Sequence, residues 1–129
     1  MFSLRKETDY ALQLLKLLTK KPKNAVSLKE AADFTGVSFL FLQKIARKLR
    51  LAGVISAELG VEGGYKLKMP ANKLTLKKII EVTEGGCALC DCCQKGDCKK
   101  KAECLVGKKV KTINNKILKI LESVKLSDL

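Results

Sequence analysis

The chain has 129 residues, 47% of them hydrophobic, with four Phe, two Tyr and no Trp, enough for one domain or one domain with an appendage. Lys and Arg number 26 against 13 Asp and Glu, a formal charge of +13, which favours a polyanionic partner, nucleic acid ahead of a membrane surface. No apolar run approaches the roughly 20 residues of a membrane span, and residues 1–21 are amphipathic rather than a signal peptide, so a cytoplasmic chain without a membrane partner is expected. A Lys-rich, solubilising surface would carry the same charge excess, so the motifs must decide.

Residues 3–20 read as a helix, with Leu4, Ala11, Leu14 and Leu18 on one face and Ser3 as N-cap. Lys20-Lys21-Pro22-Lys23-Asn24 ends it. Ser27-Leu28-Lys29-Glu30 has the form of a capping box and predicts a short helix to Phe34. Thr35-Gly36-Val37 turns the chain, and Ser38 caps a second helix to about Leu51. Two short helices joined by a turn containing Gly are helix-turn-helix spacing. Val37, Leu42, Ile45 and Leu49 are expected to face inward, and Lys44, Arg47, Lys48 and Arg50 outward, with no acid between Asp33 and Glu58. A basic amphipathic helix alone is more often a solvated face; two caps, a turn and an acid-free helix together are more specific.

Ala52-Gly53 closes that helix, and two strands are expected at Val54–Ala57 and Tyr65–Met69 around the tip Gly60-Val61-Glu62-Gly63-Gly64. A helix-turn-helix followed by a hairpin is a winged helix. No Lys-Ser or Lys-Thr follows the glycines, which excludes a nucleotide phosphate loop. After Pro70, a short helix is expected over Thr75–Glu84, ended by Gly85-Gly86.

All six cysteines then fall in one segment: Cys87, Cys90, Cys92, Cys93, Cys98 and Cys104. The segment is rich in Gly and Lys and offers thiols little to pack against. Structural disulfides are rare in the cytoplasm, so clustered thiols there read as metal ligands or redox sensors. Cys87-x-x-Cys90 and Cys90-x-x-Cys93 have zinc-type spacing without a separate second pair, and the adjacent Cys92-Cys93 breaks a ferredoxin run. Beyond them Val106, Val110, Ile113, Ile117, Ile120 and Val124 recur at spacings of 4, 3, 4, 3 and 4, an a/d seam widened by Leu118 and Leu121. Such a stripe either packs back on its own domain or dimerises; a two-fold dimer suits a protein that reads two half-sites.

The expected fold class is mainly α with a small β-hairpin: a winged helix-turn-helix plus a long C-terminal dimerisation helix. Residues 1–84 form the winged-helix DNA-binding domain, 85–105 the cysteine-rich loop and 106–129 the dimerisation helix in this reading.

At this point the chain resembles the small winged-helix regulators of the IscR and NsrR type, which sense iron–sulfur clusters or nitric oxide. The matching residues are Thr8-Asp9-Tyr10-Ala11-Leu12, Val37-Ser38 through Leu42, Lys48-Leu49-Arg50, Gly53-Val54-Ile55, Gly60 with Gly63-Gly64-Tyr65, Glu84-Gly85 and the spaced cysteines. The resemblance implies a cluster held by three cysteines about five residues apart, a spacing met by Cys92, Cys98 and Cys104. Thiolates suit both iron–sulfur clusters and zinc, and Lys99-Lys100-Lys101 would favour their ionised form. Some relatives add a His three residues after the last cysteine; here that position is Gly107, and the chain has no His. Others use a carboxylate from the first helix of the second copy, a position matched by Asp9. Asp9 reads equally well as a surface acid, and Cys87, Cys90 or Cys93 could supply the fourth ligand, bind a second metal or form a redox couple.

For DNA, the resemblance points to the start of the second motif helix and the wing. Ser38 and Gln43 are the base-edge candidates, Lys44 and Arg47 the phosphate contacts, with Leu40 and Gly60 completing the surface. Leu59 stands where a relative's Arg would reach toward the minor groove. The expected function is a DNA-binding regulator, a homodimeric repressor on a palindromic double-stranded operator, controlled by a 2Fe–2S or 4Fe–4S cluster, and not an enzyme. The alternatives are a thiol-redox or zinc-stabilised winged-helix regulator without a cluster, and an electron-transfer or cluster-delivery protein.

Overall fold

The computed structural model describes residues 3–95 and 103–129. Helix α1 spans Lys6–Lys20, α2 Leu28–Thr35 and α3 Phe39–Leu51; strands β1 (Ile55–Glu58) and β2 (Gly64–Leu67) follow, then α4 (Leu76–Glu84), a short α5 (Asp91–Lys95), α6 (Gly107–Ser123) and a 3₁₀ turn at Leu126–Asp128.

The caps set most boundaries. Ser38 accepts the Phe41 N–H at 3.3 Å and Thr75 that of Lys78 at 3.1 Å, which fixes the starts of α3 and α4. Ser27 likewise accepts the Glu30 N–H at 3.1 Å, but the second half of the expected capping box is not made. The Glu30 carboxylate instead pairs with Lys21. α1 starts later than the sequence suggests: Arg5, not Ser3, is its N-cap, without a side-chain bond. The reason is tertiary, since Glu84 at the end of α4 accepts the Arg5 N–H at 3.0 Å and holds residues before α1 out of the helix. Gly36, at φ +73°, ends α2 in the left-handed conformation that a Cβ penalises, which makes the tight turn into α3.

The hairpin is antiparallel with Ile55 opposite Leu67 and Glu58 opposite Gly64; β1 lies one residue later than expected, and β2 starts one residue and ends two residues earlier. Val26 extends it as a bridge to Tyr65, with N–H···O distances of 2.9 and 2.8 Å. Gly64 is required there, because a Cβ would collide with the Val26 carbonyl.

Ala11, Leu14, Leu15 and Leu18 of α1, Leu42, Ile45 and Leu49 of α3, Val54, Ile55, Leu74 and Ile79 form the core. Burying each large aliphatic contributes about 1.5–3 kcal/mol. Val37, Leu42, Ile45 and Leu49 all face inward as expected, and this packing presents the opposite side of α3 to solvent. The chain end returns to the core: Leu126 is fully buried and its N–H donates to the Leu74 carbonyl at 2.8 Å.

α6 divides its apolar seam between two environments. Val110, Ile117 and Val124 are half-buried, while Val106, Ile113 and Ile120, at spacing seven, remain 61%, 49% and 63% exposed. α6 packs on α4, so the first row faces its own domain and the second does not.

Candidate functional site

The α3 surface carries the expected DNA-facing side chains. Ser38, Leu40, Gln43, Lys44 and Arg47 are all exposed, Leu40 by 77%. Ser38 spends a lone pair on the α3 cap and keeps its O–H to donate. Lys44 and Lys48 point along α3 to one acid that the sequence does not place beside them. Glu7 of α1 takes Lys44 Nζ at 2.9 Å on Oε1 and Lys48 Nζ at 3.1 Å on Oε2. The hydrogen bond from Lys44, then that from Lys48, holds the Glu7 carboxyl below the usual carboxylate range despite partial burial. Among the described residues no carboxylate pairs with Arg47 or with the exposed Arg50, so both guanidinium groups of α3 are unshared cations. In the wing Leu59, Gly60 and Val61 are exposed, and Glu58 pairs with Lys66 at 2.9 Å at its base.

α1, α3 and α4 meet in a polar junction that sequence reasoning also missed. The buried hydroxyls of Thr8 and Thr83 lie 2.7 Å apart, and Thr8 donates to Glu84 Oε1 at 2.6 Å. Lys48 Nζ donates to the Thr83 carbonyl at 3.1 Å. Thr8 in an apolar-periodic helix was the one available signal, since a buried hydroxyl must find a partner.

The cysteine segment starts where Gly85 ends α4. Among the described residues two hydrogen bonds hold it: Leu89 N–H donates to Oδ1 of the buried Asn114 of α6 at 2.8 Å, and Gln94 Nε2 donates to the Gly85 carbonyl at 3.3 Å. Within it, the Cys90 carbonyl accepts the Cys93 and Gln94 N–H groups at 3.0 and 3.3 Å, which folds part of the expected loop into α5. That turn brings Cys90, Cys92 and Cys93 together, all three sulfurs within 4.8 Å of one another. Cys90 Sγ lies 3.1 Å from both of the others. Thiols of Cys92, then Cys93, stabilise the Cys90 thiolate and lower its pKa. Sharing with Cys90 pushes Cys92 up to about 12 and raises Cys93 as well, so the three thiols titrate as one coupled group.

The other candidates stand apart from this group. Cys87 is half-buried at a cleft of about 500 Å³ lined by Leu4, Ile80 and Leu118, where burial, then the charge of Glu81, pushes its thiol up. Cys104 is exposed on the turn before α6. Cys98 and Lys99-Lys100-Lys101 lie outside the described residues. Asp9 is exposed on the first turn of α1 and accepts from Gln13 Nε2 at 3.3 Å. Cys104 Sγ would stand 3.2 Å from a Cβ at Gly107, so a side chain there would press on the thiol. Position 107 thus offers no donor atom and no room for one, while thiolates as a class suit an iron–sulfur cluster or zinc.

A family model described as Rrf2, iron-dependent transcriptional regulator, matches residues 4–129. The chain belongs to the Rrf2 family. It is 31% identical over 128 residues to Protein aau3 of Rhizobium meliloti, covering 98% of this chain and 83% of that one. Among solved structures it is similar to CymR, the global cysteine regulator of B. subtilis, with a TM-score of 0.80 and 25% identity over 99% of this chain and 95% of that one. It is also similar to T. potens IscR, with a TM-score of 0.77 and 25% identity over 98% and 85% of the two chains. The resemblance to IscR-type regulators and the winged-helix fold therefore hold, and this is a transcriptional regulator of a DNA-binding family rather than an enzyme. No helix among the described residues is long and apolar enough to cross a membrane.

Proposed function

We propose that this Rrf2-family regulator works as a homodimeric repressor on a palindromic operator, its affinity set by a 2Fe–2S or 4Fe–4S cluster on Cys92, Cys98 and Cys104. Asp9 of a second copy supplies the fourth ligand in this reading, an oxygen more easily displaced than a thiolate. When bound, the cluster supplies a group that iron status, oxidants or nitric oxide can alter.

The observation that carries the reading is the Thr83–Glu84 junction. The cysteine segment leaves α4 directly after it, and the same two residues hold Lys48 of α3 and Thr8 and Arg5 at the start of α1. A change in how the segment packs therefore reaches the reading helix through a single turn of α4. On α3, Gln43 pairs with an adenine edge, Leu40 meets a thymine methyl and Arg47 holds a phosphate, while Ser38 donates its free O–H. The exposed row Val106, Ile113 and Ile120 supports the second copy, and with it two half-sites one helical turn apart.

The test starts from anaerobically purified full-length protein, with visible absorption, iron and sulfide measured on one sample. Matched iron and sulfide with visible absorbance are expected. Affinity for duplexes selected from a random pool should then differ between the holo protein and Cys92→Ala, Cys98→Ala or Cys104→Ala at fixed salt. Equal affinity sinks the control mechanism and leaves the DNA reading intact. A second reading, a thiol switch without a cluster, is favoured by the 3.1 Å sulfur contacts of Cys90 and by the similarity to the cysteine regulator CymR. A protein that stays colourless after cluster reconstitution selects it.

A further inference from the structure

Three sulfurs that converge on one point pose a geometric question. In an iron–sulfur cluster at most two protein thiolates share an iron, so the mutual approach of Cys90, Cys92 and Cys93 within 4.8 Å is the arrangement of a single ion. Bonds of about 2.3 Å in a tetrahedral zinc–thiolate site put its sulfurs about 3.8 Å apart. The contacts of 3.1 Å reach that spacing by a small side-chain opening. The turn beneath is tied down by Leu89 N–H on Asn114 and by the Gln94 side chain on the Gly85 carbonyl, and the Cys90 carbonyl starts α5. Cys92 also belongs to the evenly spaced set Cys92, Cys98 and Cys104.

We propose that Cys90, Cys92 and Cys93 form a separate site for one thiophilic d¹⁰ cation, of the zinc or cuprous class, and that ion and cluster exclude each other because both need Cys92. Three thiolates satisfy a three-coordinate cuprous ion; zinc completes its tetrahedron with a water. Each ligating thiol releases its proton to solvent and no electron changes hands. The exclusion, though not the ion site, rests on the cluster reading above.

The experiment uses reduced, full-length, chelator-treated protein under anaerobic conditions, titrated with Zn²⁺ against a chromophoric chelator and, separately, with Cu⁺. The expected result is about one ion per chain in the wild type, Cys98→Ala and Cys104→Ala, with affinity lowered roughly ten-fold or more in Cys90→Ala and Cys93→Ala. The latter two should still take up the cluster. Zinc loaded first should suppress the visible absorbance of the reconstituted cluster in the wild type but not in Cys90→Ala. Wild-type zinc affinity in Cys90→Ala, or an equal loss in Cys104→Ala, overturns the site. If the wild type takes no cluster while the zinc pattern holds, the cluster reading fails and the ion site stands.

Discussion

In the winged-helix body, the side chains that set the geometry are sealed: Leu14, Leu42, Ile45, Leu49 and Ile79 are fully buried, and even the polar Thr8 and Thr83 are enclosed. In the cysteine segment, Cys87, Cys90 and Cys93 are half-buried, while Cys92 and Cys104 are exposed. The body is held by apolar area from α1, α3 and α4; among the described residues the segment is tied down by two hydrogen bonds and one short helical turn. A region held by packing resists rearrangement and moves chiefly as a unit. A region held by a few polar contacts exchanges them for ligand bonds at small cost, which is what a sensor needs. α6 stands between the two, one row packed on α4 and the other exposed.

The comparison breaks most sharply at the core. Leu42→Ala is expected to cost about 2–5 kcal/mol in urea unfolding, because a filled site becomes a cavity. Ile120→Asp in the exposed row should leave far-UV dichroism unchanged and lower the dimer fraction in equilibrium sedimentation. An unfolded Ile120→Asp chain would place that row in the fold instead.

The next effect lies at the boundary. Thr83→Val removes one of the two partners of the buried Thr8 hydroxyl, which keeps its bond to Glu84, and about 0.5–1.5 kcal/mol of global stability is expected to go. Asn114→Ala removes the acceptor of Leu89 N–H, and its main effect should be faster hydrogen exchange at Leu89. Equal global destabilisation by the two variants would mean that segment and body unfold as one unit.

The smallest effect is electrostatic. Glu7 has its pKa lowered by Lys44, then Lys48, so its ion pairs stabilise the fold at neutral pH. Because the folded value is depressed, that contribution is complete above the usual carboxylate range and is lost as pH falls through the lowered value. Stability of the wild type should therefore drop more than that of Glu7→Gln across this acid window, measured by urea midpoints. Parallel curves would show that the pair contributes nothing. At neutral pH, Glu7→Gln also releases Lys44 and Lys48 from their acid.

Much of this was legible in the residues themselves. Ser27, Ser38 and Thr75 mark helix starts because an N-cap bond is made within three residues. The turn at Gly36, the inward face of α3 and the wing follow from periodicity and from glycine at a left-handed position. Where the reading slipped, a distant group intervened: Glu84 moved the start of α1, and Lys21 took the Glu30 carboxylate from its capping box.

The sequence alone thus determined the order of α1 to α4, the hairpin and α6, the winged-helix class and the crowding of six thiols into one segment, since caps, turns and periodic faces are decided within a few residues of chain. Only the tertiary structure decided that Glu7 holds Lys48 across 41 residues, and that Thr8 meets Thr83 across 75. It also decided which thiols converge and which row of α6 remains uncovered. Those outcomes depend on how α1, α3, α4 and α6 pack, and packing is a property of surfaces in contact, which no local spacing encodes.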